Sequence, residues 1–201
     1  MLTTEHRAIV SATVPILEQG GEALTRHFYQ LLFRDFPQVK PYFNQAHQQS
    51  GAQQRALAGA VLMYAKNIDR LEALGPLAST IVNKHVALQI LPEHYPMVGA
   101  SLLKAISEVL GADVATEAVL EAWAAAYGQL ADILIGAEAN AYEAQAQACG
   151  GWKGLRRFVV IEKRHESDEI TTFVLQPQDG GPVMAFLPGQ YIGIRVMVDS
   201  Q

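Results

Sequence analysis

The residues that could do chemistry centre on His85, which lies in a stretch with helical periodicity. Upstream of it are aromatic, amide and bulky apolar side chains, namely Tyr29, Phe43, Gln53 and Leu57. A histidine on one helix and a mostly apolar wall with a few polar groups on others can hold a haem, with one axial bond to iron and one guarded open position. A single histidine is more often a surface or satisfied core residue, so this interpretation depends on its companions.

The elements that must position these residues are amphipathic helices. Apolar side chains recur at helical spacing over residues 57–68 and 119–134, which predicts helices with one buried stripe. Breaks are predicted where Gly frees the backbone or Pro removes a donor, at Gly20 and Gly21, residues 37–41, Gly75 and Pro76, Leu91 and Pro92, and Gly111. About six helices result, and the last is expected over roughly residues 113–148.

The pattern changes after Gly151. Residues 157–162 and 171–175 are short runs of β-branched and aromatic side chains, and residues 190–196 alternate in polarity. We therefore predict a mainly α protein, with a helical domain over residues 1–148, followed in residues 149–201 by a linker and the first strands of an antiparallel barrel. Three strands in about 50 residues bury no core of their own, so the second domain is expected to be incomplete.

Charge and composition exclude several classes of function. The net charge is -5, and the acidity lies in residues 1–150, which carry 9 Lys and Arg against 14 Asp and Glu. No basic stripe is present, so nucleic-acid binding is not expected. The single cysteine, Cys149, cannot form an internal disulfide, and no membrane span or signal-peptide pattern is visible. The cytoplasm is the expected compartment.

Short motifs, in order along the whole chain, carry a resemblance to a known family. They are His27-Phe28-Tyr29, Phe43-Asn44, Asn83-Lys84-His85, Glu93-His94-Tyr95-Pro96-Met97-Val98-Gly99, Glu121-Ala122-Trp123, Ala126-Tyr127, Gly150-Gly151-Trp152 and Pro188-Gly189-Gln190-Tyr191. Each is weak alone, but together they resemble the bacterial flavohaemoglobins. The resemblance implies a globin fold followed by the start of a ferredoxin-reductase-type FAD-binding β-barrel.

On the proximal side, the resemblance implies that His85 is the iron ligand of a b-type haem. Tyr95 and Glu138 match the family pair that supports this histidine, and a carboxylate that accepts the imidazole N–H makes the ring a stronger donor to iron. Without the resemblance, Glu138 would be interpreted as a solvated helix charge. Lys84 resembles a family lysine near the haem edge that faces the flavin, and a solvated lysine is the alternative.

On the distal side, the resemblance implies that Tyr29 offers its phenol O–H to bound O2. Gln53 and Leu57 are four residues apart on a helix and so face the same way. Leu57 would close the pocket over the iron, and Gln53 would add a second, weaker polar contact. Phe43 would wedge against the macrocycle. Taken singly, Tyr29 and Phe43 would be core aromatics.

The resemblance extends less far into the reductase part. Tyr191 matches a family aromatic that contacts the flavin, although a tyrosine on an alternating strand is more often a packing residue. The Arg-x-Tyr-Ser signature that holds FAD would lie beyond Gln201, and no Gly-rich phosphate loop for NAD(P)H occurs in these residues. FAD and NAD(P)H are therefore expected to bind only the full-length parent, and this chain is not expected to be self-sufficient.

By resemblance, the parent enzyme is a nitric oxide dioxygenase that combines O2 and NO into nitrate with electrons from NAD(P)H through FAD. An oxygen-storage globin, a haem-based gas or redox sensor and a haem-free helical binding module stay open as alternatives. Residues 151–201 argue against the first because storage needs no reductase, and against the second because they look like a flavin domain and not an output module. The number of matching positions argues against the third. The sequence does not predict the oligomeric state.

Overall fold

The computed structural model of the chain describes residues 2–43, 48–186, 188, 190 and 192–196. The chain divides into two compact units, Met1–Ala137 and Glu138–Gln201. The division falls within the last helix, which therefore contributes residues to both units. The domain boundary near residue 148 stays a prediction.

Helices make up the first unit. They are α1 (Thr4–Ala12), α2 (Val14–Asp35), α3 (Ala52–Lys66), α4 (Gly75–Leu88) and α5 (Tyr95–Leu110), and α6 (Glu117–Gln147) continues into the second unit. Short 3-10 helices lie at Pro37–Tyr42, Leu71–Leu74 and Pro92–His94. The predicted mainly α architecture is confirmed. The breaks at residues 37–41, Gly75 and Pro92 are also confirmed, because proline occupies the first turn of an element where its missing N–H is not needed. The break at Gly111 is confirmed as well, since α5 ends just before it.

The break predicted at Gly20 and Gly21 is wrong, since α2 runs through both glycines. Gly21 is buried against α3, and the Cβ atom of Ala58 lies 3.6 Å from where a Cβ of Gly21 would be. The glycine thus allows two helices to approach instead of ending one. The chain breaks earlier, at Thr13, whose Oγ1 donates a hydrogen bond of 2.6 Å to the carbonyl oxygen of Val10.

The predicted start of the last helix is four residues too early. Residues 111–115 form a turn in which the backbone N–H of Ala115 donates to the carbonyl oxygen of Gly111 at 2.8 Å. Gly111 adopts a φ of 72°, which glycine accepts without strain. Thr116 then accepts a hydrogen bond from the N–H of Val119 through its side chain, at 3.4 Å, and so caps α6.

The core of the first unit takes one face from each main helix. Leu24, Leu32, Ile106 and Trp123 are each at most 3% exposed, and burying one such side chain contributes about 1.5–3 kcal/mol. Among the described residues, α6 is the one helix long and apolar enough to cross a membrane by length and composition. Its Trp123 lies in this core, and the core helix of a soluble protein passes the same test.

The second unit contains an antiparallel hairpin of β1 (Phe158–His165) and β2 (Thr171–Pro177), with an irregularity between Val160 and Glu162. The first two predicted strands are therefore confirmed. The third, at residues 190–196, is wrong for its described residues 190 and 192–196, which form no strand. A strand requires a neighbour that pairs its N–H and C=O groups, and the described sheet contains β1 and β2 only.

Arg156 fixes the segment between α6 and β1 to the turn after β2. Its Nε donates to Asp179 Oδ2 at 2.9 Å, and its Nη1 donates to the carbonyl oxygen of Pro182 at 2.8 Å. The guanidinium lies 5.4 Å from the ring centre of Trp152. It also holds the pKa of the Asp179 carboxyl at about 2. The second unit is thus organised around one partly buried ion pair.

Candidate functional site

His85 lies in the last turn of α4, where it is partly buried. The helix ends three residues later, and Gln89 adopts a left-handed conformation with φ 59°. Nδ1 of His85 lies 3.3 Å from the hydroxyl of Tyr95, and the two ring centres are 6.2 Å apart. A hydroxyl beside one ring nitrogen fixes the ring rotation, which makes Nε2 the candidate metal-binding atom.

Tyr95 is held by a second tyrosine that the sequence analysis did not assign to the site. Tyr95 begins α5 and is 8% exposed, and its carbonyl oxygen accepts a hydrogen bond of 2.7 Å from the hydroxyl of Tyr127. Burial raises the pKa of Tyr127 above its usual value, so the phenol stays a donor. Gly99 gives room for this ring, since a Cβ there would lie 2.6 Å from Cε1 of Tyr127.

Tyr29 lies on α2 and is 6% exposed. Its ring packs edge-on against Phe28 and Phe43, with ring centres 4.9 and 5.6 Å apart. Its hydroxyl has no hydrogen-bond partner among the residues that the structure describes. Burial raises the pKa of the Tyr29 phenol well above its usual value, so it remains a proton donor throughout the physiological range.

Phe43 completes an aromatic wall, by which we mean Tyr29, Phe33 and Phe43. It follows the 3-10 helix Pro37–Tyr42 and is half-buried. Its ring centre lies 5.2 Å from that of Phe33 and 5.6 Å from that of Tyr29. The sequence analysis did not assign Phe33 to the site, although its position four residues after Tyr29 on a helix is the signal that it shares the wall.

Gln53 and Leu57 both lie on α3. Leu57 is partly buried and packs against the core. Oε1 of Gln53 accepts a hydrogen bond of 2.8 Å from Nε2 of Gln48, which in turn is bonded to Gln54. Neither Gln48 nor Gln54 was identified from sequence, and the only available signal was the density of glutamines in residues 48–54.

The structure describes the burial of two of the other predicted site residues. Glu138 lies on α6 in the second unit and is 2% exposed, so the alternative of a solvated helix charge is wrong. Its role as a partner of His85 stays a prediction. Lys84 is exposed, which fits both of its interpretations. Tyr191 lies outside the described residues.

These residues fit a haem. One imidazole nitrogen is held by a hydroxyl, and a buried phenol on an aromatic wall has no described protein acceptor. Large apolar side chains directly after His85 are left accessible, with Leu88 44% and Leu91 40% exposed. An apolar macrocycle edge is one surface that would cover such residues.

Comparison with known proteins decides the family. The Globin family matches residues 26–134, more than half of the chain and including Tyr29, His85 and Tyr95. The chain belongs to the globin family. This membership implies a haem cofactor, and it confirms the globin fold that the motifs predicted.

This globin is similar to a flavohemoprotein of Burkholderia sp. (strain TH2), with 66% identity over 201 residues that cover 100% of the chain and 51% of the relative. The chain spans about half the length of the curated relatives it matches. The resemblance to flavohaemoglobins is therefore confirmed over the whole chain.

Two solved structures support the fold. A flavohemoglobin from Malassezia yamatoensis, with bound FAD and heme, has a TM-score of 0.79 and 29% identity, covering 95% of this globin and 49% of that chain. An engineered carbene transferase, named as a candidate nitric oxide dioxygenase from Rhodothermus marinus, has a TM-score of 0.69 and 36% identity, covering 73% of this globin and 100% of that chain.

We predict that Gly99→Ala destabilises the protein. The new methyl group would overlap the Tyr127 ring, and overpacking of this kind costs about 1–3 kcal/mol. Urea unfolding of the purified protein measures the effect. Gly128→Ala is the matched control on α6, because nothing lies within 4 Å of its Cβ position, and it should leave stability unchanged or raise it. Equal stability of both variants would show that Tyr127 does not pack on Gly99.

Proposed function

We propose that this globin binds haem through His85, that Tyr29 donates a hydrogen bond to O2 in the pocket, and that the longer protein is a nitric oxide dioxygenase. The observation that carries the proposal is the contrast within the first unit between the imidazole of His85, which contacts a hydroxyl, and the buried ring of Tyr29, whose hydroxyl donates to no residue that the structure describes. Bound haem supplies an iron atom that takes a gaseous ligand and exchanges electrons. The chain's own residues supply position and polarity.

On the proximal side, the work of the protein is to hold one imidazole in one orientation. Tyr95 sits beside Nδ1 of His85, and Tyr127 holds the backbone of Tyr95. A ring whose rotation is fixed loses less entropy when its Nε2 binds a metal. The hydrogen bond between Nδ1 of His85 and the hydroxyl of Tyr95 also tunes how strongly Nε2 donates its electron pair to a metal.

On the distal side, the aromatic wall excludes water and orients one donor. The rings of Phe33 and Phe43 pack against the phenol of Tyr29 and hold it in place, and its raised pKa keeps the proton on oxygen. A fixed donor stabilises negative charge that develops on O2 without reorganising at the moment of reaction. Leu57 and Phe43 would line the same pocket as apolar walls.

The reaction proposed for the longer protein is supported by the names of its relatives. The balanced step joins NO, O2 and one electron into nitrate, so each turnover needs a reductant. FAD and NAD(P)H would supply that electron in a chain of the relatives' length. An oxygen-storage role would need the same pocket but no reductase, and the hairpin of the second unit favours a protein with a reductase part.

The first test is the ligand assignment. We expect His85→Gly to lose the five-coordinate ferrous spectrum of the parent and to regain it when free imidazole is added, because imidazole can occupy the space left by the side chain. Absorption spectra of protein reconstituted with haem measure this. His94→Gln is the control, as it removes a nearby histidine. Retention of the parent spectrum in His85→Gly without imidazole would contradict the assignment.

The second test is the distal donor. Tyr29→Phe keeps the ring and removes only the O–H, so it should lose about 1.5–3 kcal/mol of stabilisation and speed O2 dissociation roughly ten- to hundredfold. Stopped-flow spectroscopy measures the rate. Tyr64→Phe is a matched control, because Tyr64 is also buried but donates to the carbonyl oxygen of Ala126. An O2 dissociation rate within about twofold of the parent in Tyr29→Phe would make Tyr29 a packing residue.

The third test is turnover. With an added chemical or protein reductant, the haem-loaded chain should consume NO in the presence of O2 and form nitrate, since the residues assigned to that step all lie before residue 150. With NADH alone it should not, because the FAD signature is missing from the sequence. Nitrate yield and flavin fluorescence after denaturation measure this. Stoichiometric FAD together with NADH-driven turnover would contradict the prediction, because this chain would then already contain a working flavin site.

A further inference from the structure

Three glutamines at the start of α3 form a hydrogen-bonded relay that the proposed function does not explain. Nε2 of Gln54 donates to the backbone carbonyl oxygen of Gln48 at 3.2 Å and to its side-chain Oε1 at 2.8 Å. Nε2 of Gln48 donates to Oε1 of Gln53 at 2.8 Å. We call Gln48, Gln53 and Gln54 the glutamine relay.

The direction of the hydrogen bonds in the relay follows from the contact of Gln54 with the backbone of Gln48. A backbone carbonyl oxygen can only accept a hydrogen bond, so the end of Gln54 that faces it must be the amide nitrogen. That nitrogen then requires an acceptor from the Gln48 side chain, which turns Nε2 of Gln48 towards Gln53. Reversing any one of these amides would bring two donors or two acceptors together.

Gln54 is held in place because it lies on α3 and contacts α2. Gln54 is 7% exposed, and its backbone oxygen accepts a hydrogen bond of 3.0 Å from Oγ1 of Thr25 on α2, four residues before Tyr29. Oε1 of Gln54 is buried without a hydrogen-bond partner in the described structure. Within the described structure, the hydrogen bonds of this amide are those of its nitrogen, and they set its orientation.

We infer that Gln48 is a positioning residue that fixes Gln53 with its amide nitrogen, and not its oxygen, available to a ligand in the pocket. The inference rests on the proposed function, because it assigns a polarity to the distal contact of Gln53. With Oε1 of Gln53 held by Gln48, the N–H end of this amide remains. The pocket would then offer a second donor in addition to Tyr29, which favours ligands that carry negative charge on their outer atom.

The C–O stretching frequency of the ferrous CO complex of haem-loaded protein tests this polarity. A donor near the oxygen of CO lowers the frequency, and a carbonyl oxygen there raises it. In Gln48→Glu the new carboxylate can only accept, so Gln53 must turn its nitrogen towards it and present its oxygen to the ligand. We expect the C–O frequency to rise and O2 to dissociate about two- to tenfold faster, the effect of losing one neutral hydrogen bond.

Matched variants separate this effect from charge and from folding. Gln49→Glu adds the same charge at an exposed neighbour and should keep the parent frequency. Gln48→Leu releases Gln53 without adding charge, and should broaden or split the band as the amide takes both orientations. In the Gln53→Leu background, Gln48→Glu should cause no further shift.

Two results would overturn the inference while leaving the proposed function intact. One is a parent-like C–O frequency and O2 dissociation rate in both Gln48 variants, with haem bound through His85. The other is an equal shift from Gln48→Glu in the Gln53→Leu background, which would mean that the carboxylate acts through its charge. A parent protein that forms no CO complex would instead overturn the proposed function itself.

Discussion

A buried phenol O–H needs an acceptor for its hydrogen bond, and this constraint distinguishes the tyrosines of the first unit. Tyr64 donates to the carbonyl oxygen of Ala126 at 2.8 Å, and Tyr127 donates to that of Tyr95 at 2.7 Å. Burial raises the pKa of Tyr64 to about 12, so such groups stay protonated. Tyr29 is also buried, at 6% exposure, but its hydroxyl has no acceptor among the described residues. A ligand in the proposed pocket would supply that acceptor.

The same constraint shapes the other side of the site through a chain of contacts. Gly99 leaves room for the ring of Tyr127, Tyr127 holds the backbone at Tyr95, and the hydroxyl of Tyr95 meets His85. Each step is a packing or hydrogen-bonding requirement, and none is visible at the histidine alone. The orientation of the His85 imidazole therefore depends on a glycine, Gly99 on α5, which lies fourteen residues after the histidine.

Sequence could predict the features that depend on local rules. Proline in the first turn and helical periodicity located most helices. The family motifs included His85 and Tyr29, whose roles stay predictions. The Gly20 and Gly21 break was wrong because a glycine inside a helical pattern can either end the helix or admit a neighbour, and only the packing of Gly21 on Ala58 decides between these. The prediction of a third strand was wrong because strand pairing depends on a partner strand and not on alternating polarity in the sequence.

The roles of Tyr127 and Gln48 could not be predicted for a related reason. Tyr127 stood in a matched motif, but its function follows from a hydrogen bond to a backbone atom on another helix. Gln48 lies close in sequence to Gln53, yet the direction of its amide is set by Gln54, whose own place is fixed by Thr25 on α2. Residue type alone does not encode which end of an amide is free.

Tyr29 and Gln53, the two donors of the proposed pocket, are held in place by different kinds of contact, and this difference has a consequence for how the pocket can vary. Tyr29 is fixed by rings that also form the core, so changing its surroundings disturbs packing. Gln53 is fixed by hydrogen bonds in a segment that turns at Gly51, with a φ of 71°, ahead of α3. Substitution of Gln48 can therefore change the polarity presented to a ligand while the hydrophobic core stays the same. In the proposed pocket, Tyr29 would determine whether O2 is stabilised, and the glutamine relay would adjust by how much.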